Sequence, residues 1–240
     1  MKASTWILLL SPIALVAAAC SGTSDNTPPD GGVTTDGGAT DTGTQVDDGG
    51  PTSDGGGDGG GDGGGDGGVK RAFMTSAQFS GDLLTVGKAV DPAVTTGIAG
   101  ADALCQSAAN TRGFGGTWKA WISGNDGTKV VSAKDRFDTT RAYVNLDGKV
   151  AWDKGRPTTT PLPGLVQDDK KLYASGTRVW TGTEETGEAL ANRCLEWTTA
   201  VTSERGNNGI AGTGAGGAWA RNTTDGIMCD GPAHLYCFEM

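Results

Sequence analysis

Residues 100–123 read GADALCQSAANTRGFGGTWKAWIS, and they place a helix directly before a strand. Small apolar residues recur at helical spacing, which predicts a helix from Ile98 to Thr111. Glycines at 113, 115 and 116 end the helix. Trp118 and Trp121 belong to the strand that follows, and their spacing of three directs them to opposite faces of a sheet.

The rest of the chain after residue 68 adds short strands rather than further helices. The Asp147-Gly148 pair between two alternating runs predicts a β-hairpin. Residues 203–217 are a loop rich in Gly and Asn. Further strands are predicted at residues 71–75, 143–146, 149–152, 178–181, 218–220 and 235–238. One early helix, many short antiparallel strands and long loops together predict an α+β fold.

Residues 1–20 read as a lipoprotein signal peptide. Lys2 is followed by a short apolar stretch, and Ala17, Ala18 and Ala19 precede Cys20. Small residues before a cysteine are typical of bacterial lipoproteins, in which the cysteine is acylated after cleavage. The alternative is an ordinary cleaved signal with an incidental Cys20, but the spacer that follows favours lipid anchoring. Ser21 after Cys20 favours an outer-membrane or cell-surface location.

Residues 21–68 are predicted to be a disordered tether. They contain 10 Asp, 19 Gly, no Lys or Arg and no aromatic residue. Such a segment buries too little apolar surface to offset its loss of conformational entropy. Calcium-binding Asp/Gly repeats carry an apolar residue in each turn, and residues 54–68 have none, so a solvated spacer is the better interpretation.

The acidity of the chain belongs to the tether. The whole chain carries a formal charge of −9, whereas the tether carries −10 and Lys2 adds +1, so residues 69–240 are neutral. A neutral domain has no overall basic footprint for nucleic acid, which is not expected as a partner. Residues 69–240 form one domain of about 170 residues, a common size.

Four cysteines remain once Cys20 is assigned to the lipid. Cys105, Cys194, Cys229 and Cys237 predict two disulfides in an exported domain, with three pairings that sequence alone does not separate. No CxxC pair occurs, which argues against a zinc ribbon or a redox motif.

The order and spacing of several motifs identify a resemblance that covers nearly all of residues 98–240. The motifs are residues 100–106 and 116–123, Val144–Asp147, Val179–Gly182, Cys194–Trp197, and Cys229 with Leu235–Cys237. Together they resemble endostatin-like domains, which occur in basement-membrane collagens and in bacterial surface lipoproteins of the leptospiral endostatin-like type. The resemblance implies a C-type-lectin-like fold with nested disulfides, Cys105–Cys237 outside and Cys194–Cys229 inside.

The resemblance does not carry the ligand sites of those families to this chain. His234 is the only histidine, so the histidine zinc site of endostatin is absent. The positions matching its heparin-binding arginines are Thr96, Ala99 and Thr198, which are uncharged. The proline triplet of calcium-dependent lectins is missing, which disfavours calcium-dependent sugar binding. No metal and no cofactor are expected.

Catalytic patterns are weak. A serine-type triad would have to use His234, for which a packed or surface role is the simpler interpretation. Glu184, Glu185 and Glu188 resemble a solvated loop more than an acid/base pair. We therefore expect that the chain is not an enzyme.

Most of the tryptophans are expected in the core, with Trp219 the best candidate for exposure. Trp219, Arg221 and Asn222 follow the long Gly-rich loop, where lectin-like folds present ligands, and are the predicted ligand-binding residues. The predicted function is a lipid-anchored binding or adhesion module that recognises a protein or glycan through loops 154–177 and 203–228. The alternatives are a structural envelope lipoprotein and, less favoured, a hydrolase of envelope polymers.

Overall fold

The computed structural model of the protein describes residues 69–154, 163–213 and 217–240, all within one compact unit, Gly60–Met240. The predicted signal peptide with Cys20, the predicted tether and part of loop 154–177 lie outside the described residues. The named elements are, in chain order, β1 (Lys70–Met74), α1 (Leu83–Val90), α2 (Gly97–Thr111), β2 (Trp118–Ala120), β3 (Gly124–Asn125), β4 (Val130–Val131), β5 (Tyr143–Val144), β6 (Val150–Trp152), β7 (Arg178–Trp180), β8 (Arg205–Gly206), β9 (Asn208–Ile210), β10 (Ile227–Met228) and β11 (Tyr236–Glu239). Single 3-10 turns lie at Ala133–Arg136 and Pro163–Val166.

A five-stranded sheet in the order β2-β11-β1-β5-β6 organises the domain. Strand β1 pairs antiparallel with β11, with Phe73 opposite Cys237, and parallel with β5. Three two-stranded ladders, β3-β4, β7-β9 and β8-β10, surround it. The fold is therefore mixed α+β, with few helices, short and mostly antiparallel strands and two disulfides, as the sequence predicted at this level.

Alternation along the strands divides the interior into two cores, one on each face of the sheet. The helix-side core contains Phe73, Leu104, Trp118, Trp180 and Trp197, together with all four cysteines of the two disulfides. The loop-side core contains Trp121, Trp152, Trp219, Tyr236 and Phe238. Trp118 and Trp121 thus enter different cores, as their spacing predicted.

Helix α2 begins one residue before the predicted start and ends at the predicted Thr111. The Thr96 hydroxyl accepts a hydrogen bond from the Ala99 N–H at 3.3 Å and caps the first turn. Helix α1 was not predicted, because eight residues containing Thr85, Val86 and Gly87 carry little helical signal. It packs closely on α2, and a Cβ added at Gly87 would lie 2.3 Å from the Gly100 Cα.

The two disulfides are Cys105–Cys237 and Cys194–Cys229, the nested arrangement that the resemblance implies. Cys194 opens a turn, Cys194–Trp197, in which all four residues have a positive φ. A left-handed turn costs L-residues roughly 1–2 kcal/mol each. The disulfide at one end and the fully buried Trp197 at the other hold it in place.

Two predictions about the C-terminal third are wrong. Residues 218–220 form a turn rather than a strand, because Ala220 and Arg221 both bond the Gly217 carbonyl through their N–H groups. The predicted loop 203–217 contains β8 and β9. Gly209 of β9 lies so close to the Trp219 backbone that no side chain fits there. Close backbone packing of this kind has no periodic signature in the sequence.

Candidate functional site

The predicted ligand-binding residue Trp219 is buried. Its side chain is 4% exposed and lies 5.2 Å from the Trp152 ring and 5.8 Å from the Trp121 ring, measured between centroids. Trp219 was named as the best candidate for an exposed tryptophan, and it lies instead in the core with the other tryptophans of this cluster. The turn at residues 217–220 places the indole in the loop-side core, which buries its apolar surface.

The two residues beside it lie nearer the surface. The Arg221 Nη1 donates to the Glu184 carboxylate at 2.6 Å, and both side chains are about one third exposed. Asn222 is exposed, and its backbone N–H donates to the Asn208 carbonyl at 2.7 Å. The structure thus leaves Asn222 available, places Arg221 in an ion pair and withdraws Trp219 from solvent.

The other predicted ligand loop, residues 154–177, presents an aromatic ring that the sequence analysis did not single out. Tyr173 is 51% exposed, the largest exposed fraction of any aromatic side chain among the described residues. It lies on a turn that follows the buried residues Gln167 and Asp168. We call this surface the Tyr173 face and define it by Asp147, Lys149, Val150, Lys171, Leu172 and Tyr173.

Hydrogen bonds hold the Tyr173 ring in position. The Tyr173 hydroxyl donates to the Asp147 carboxylate at 3.2 Å, and the Asn145 side-chain amide donates to that hydroxyl at 3.3 Å. The Lys149 Nζ lies 5.6 Å from the ring centroid, within cation–π range. The buried Gln167 amide donates to Asp147 at 2.6 Å and keeps the carboxylate in place.

The two turns that form this face are also fixed from within. The Asn145 side chain accepts from the N–H groups of Asp147 and Lys149 at 3.0 and 2.9 Å. The Asp168 carboxylate accepts from the N–H groups of Lys170 and Leu172 at 2.8 and 2.9 Å. Side-chain bonds of this kind stabilise tight turns locally. The face is therefore preorganised, and binding at such a surface costs little conformational entropy.

The chemistry of the face is amphipathic. Val150 and Leu172 are 52% and 62% exposed and add apolar area around the ring. Lys149 and Lys171 supply cationic donors, and the Lys171 Nζ lies 3.7 Å from the Asp147 carboxylate. A ring bordered by aliphatic groups and polar tips can stack on a sugar or pack against a partner side chain. A lone tyrosine in the charged segment 168–173 was the signal available in the sequence.

The residues weighed earlier for catalysis lie elsewhere. The His234 ring nitrogens lie 2.7 Å from the Thr75 carbonyl oxygen and 3.0 Å from the Gln78 side-chain amide. Hydrogen bonds from Lys134 and Ser132 hold the pKa of the Glu188 carboxyl below its ordinary value. Within the described residues no three His, Cys, Asp or Glu side chains gather as a metal-binding group. In that same part of the chain no helix has the length and apolar character needed to span a bilayer.

Comparison of the sequence with protein-family models and with curated proteins gives no match.

Proposed function

We propose that this chain is an exported, lipid-anchored binding module whose Tyr173 face recognises an extracellular protein or glycan without calcium and without catalysis. The carrying observation is a half-exposed aromatic ring held by side-chain hydrogen bonds on a disulfide-linked scaffold. Exposed tyrosines with few rotatable bonds are common anchors of protein interfaces.

The proposed location rests on the first 68 residues. A signal ending at Cys20 supplies a lipid anchor, so the membrane is a partner through the N-terminal lipid. An Asp/Gly coil of 48 residues would span roughly 40 Å root-mean-square, which lifts the domain clear of lipid headgroups. We place the protein at the outer membrane or cell surface. Proteolysis of intact cells tests the display, and Cys20→Ser should release the protein from the membrane fraction.

The proposed fold family is endostatin-like, within the C-type-lectin-like group. The motif order and the nested disulfide pairing support it. Antiparallel pairing of the early strand β1 with β11 fits such a closed arrangement.

The absence of catalysis is part of the proposal. His234 is 7% exposed and bonded to a carbonyl and an amide rather than to a carboxylate. Glu184 is engaged by Arg221 and Glu188 by Lys134. Turnover of an envelope polymer that is lost in His234→Ala or in Glu184→Gln would contradict this part.

The binding test uses the full chain on an array of glycans and matrix proteins, with and without a calcium chelator. Tyr173→Ala should weaken saturable binding by about tenfold or more, equivalent to roughly 1.4 kcal/mol, because the ring is the anchor. Tyr173→Phe keeps the ring and should lose only a few-fold. Chelation should change nothing.

A matched control is Leu195→Ala, which removes a side chain that is 60% exposed but lies outside the Tyr173 face. It should bind as the unaltered chain does. Equal binding by Tyr173→Ala would move the site to another surface, with Asn222 the next candidate. A blank array would instead favour a structural envelope lipoprotein with no soluble ligand.

A further inference from the structure

A second recess, which shares no lining residue with the Tyr173 face, lies between α2 and the segment that follows β1. Its volume is about 280 Å³. The apolar part of its lining comes from Phe79, Val90, Leu104 and Ala108. We call it the Arg112 groove, because Arg112 lines it where α2 ends.

The polar part of the lining comes from Thr75, Ser76, Ser107 and Thr111 and from a half-buried ion pair between Arg112 and Asp169. Asp169 is 6% exposed and accepts hydrogen bonds from the Ser76 N–H and from the Arg112 Nε, the latter at 3.0 Å. This contact uses one edge of the guanidinium. The two Nη groups of Arg112 have no hydrogen-bond partner in the part of the chain that the structure describes. They remain as donors on a side chain that is 34% exposed.

The charge of Asp169 beside Arg112 determines which acceptor the Arg112 Nη groups bind best. Asp169 already offsets much of the guanidinium charge, so a second carboxylate would gain less from Arg112 than from an unpaired arginine, would be repelled by Asp169, and would lose its own hydration on entering the groove. An uncharged carbonyl oxygen accepts from the Nη groups without that repulsion. The adjoining apolar lining suits a ring or a short branched chain.

We propose that the Arg112 groove binds a small neutral carbonyl compound, such as a primary amide on an apolar ring. The ring lies on Phe79, Leu104 and Ala108, and the carbonyl oxygen accepts from Arg112. Ligand pockets usually measure roughly 300–1,000 Å³, so a volume at the lower limit selects a small molecule. The groove and the Tyr173 face share no residue, and either proposal stands or fails without the other.

The test compares two probes of nearly the same shape, cyclohexanecarboxamide and cyclohexanecarboxylate, by ligand-observed NMR on the full chain. The amide should bind in the millimolar range, and the carboxylate should bind at least several-fold more weakly. Tighter binding of the carboxylate would overturn the charge argument. Absence of binding by both would overturn the site.

Two variants assign the binding to the groove. Arg112→Lys keeps a cation for Asp169 and lacks the paired Nη donors, so affinity for the amide should fall about fivefold to tenfold while the protein stays folded. Ala108→Phe fills the groove and should abolish binding. Arg178→Lys, the same change at an exposed arginine outside the groove, should leave affinity unchanged. Unchanged affinity in both groove variants would show that the amide binds elsewhere.

Discussion

The two cores differ in how firmly their aromatic residues are held. In the helix-side core each tryptophan donates its indole N–H to a carbonyl: Trp118 to Gly115, Trp180 to Phe79 and Trp197 to Ser123, at 2.6 to 2.8 Å. In the loop-side core the indole N–H groups of Trp121, Trp152 and Trp219 and the Tyr236 hydroxyl are buried without a partner. Both disulfides lie on the helix side.

The helix-side core, with its disulfides and paired indoles, is the scaffold of the domain, and the loop-side core supports the loops. Buried polar groups are nearly always hydrogen-bonded, so four side-chain groups without a protein partner in one aromatic cluster mean that these rings are positioned mainly by packing. Val166 of loop 154–177 and Trp219 of loop 203–228 both belong to it. The aromatic rings beneath the predicted ligand loops are therefore positioned by packing, whereas the Tyr173 face itself is held by its own side-chain hydrogen bonds.

Among the changes that test this contrast, removal of the outer disulfide should lower the free energy of unfolding the most. Cys105 and Cys237 are 132 residues apart, so opening the bridge in Cys105→Ala/Cys237→Ala returns a long loop to the unfolded ensemble. By chain entropy this should lower the free energy of unfolding by about 5 kcal/mol. Urea unfolding monitored by tryptophan fluorescence measures it.

Removal of the inner disulfide, which closes a loop of only 35 residues, is the comparison and should lower the free energy of unfolding by about 4 kcal/mol. A loss below about 1 kcal/mol for the outer pair would show that the bridges are not what holds the helix side.

A smaller effect separates the two kinds of tryptophan. Trp197→Phe leaves the Ser123 carbonyl without the indole N–H that bonds it at 2.7 Å, whereas Trp152→Phe removes an N–H that bonds nothing. Both changes remove a similar volume, so Trp197→Phe should cost about 1–3 kcal/mol more than Trp152→Phe. Chemical denaturation of the two variants side by side measures the difference. Equal losses of unfolding free energy in the two variants would mean that the Trp152 indole N–H does donate a hydrogen bond in solution.

The smallest effect concerns pH at the border of the helix-side core. Burial alone would raise the pKa of the Glu239 carboxyl, but hydrogen bonds and the charge of Arg71 outweigh it and hold that pKa below its ordinary value of 4.5. Stability from this pair should therefore be present above pH 4.5 and be lost as pH falls through the lowered pKa.

Glu239→Gln tests this, because it removes the titrating group. The variant should be less stable at pH 7 by about 1 kcal/mol or less, and the difference should shrink toward pH 3. Thermal unfolding across that range measures it. A difference that stays constant with pH would assign the stabilisation to another group.

The predictions that succeeded rest on local signals. Helix α2 has a long run of small apolar residues and a Thr96 cap, and the hairpin has a Gly148 with φ of 77° in its turn. The α+β class follows from the order of these local helix and hairpin signals along the chain. Helix α1 has a local N-cap, since the Asp82 carboxylate accepts from the Thr85 N–H at 3.0 Å, but it is only eight residues long. The left-handed turn at Cys194 depends on neighbours distant in sequence, and no local pattern indicates it.

The candidate site was located only in part. Loop 154–177, a predicted ligand loop, contains the exposed Tyr173, which the sequence analysis did not single out, and Trp219, named there as the tryptophan most open to exposure, is buried. Alternation identifies which residues share a face and does not tell whether that face meets solvent or a second core. The Tyr173 ring is positioned by Asn145 and Asp147, from a hairpin 26 to 28 residues earlier.

Strand β1 forms its antiparallel ladder with β11, and the Leu235 N–H bonds the Thr75 hydroxyl 160 residues away. During synthesis the β1–β11 ladder can therefore form only after nearly all of the domain has been made, whereas the pairing of β1 with β5 can form earlier. Contacts this distant in sequence make folding slow. On the proposed export of the chain, the central sheet would be completed only after export, where oxidising conditions allow the Cys105–Cys237 disulfide to form.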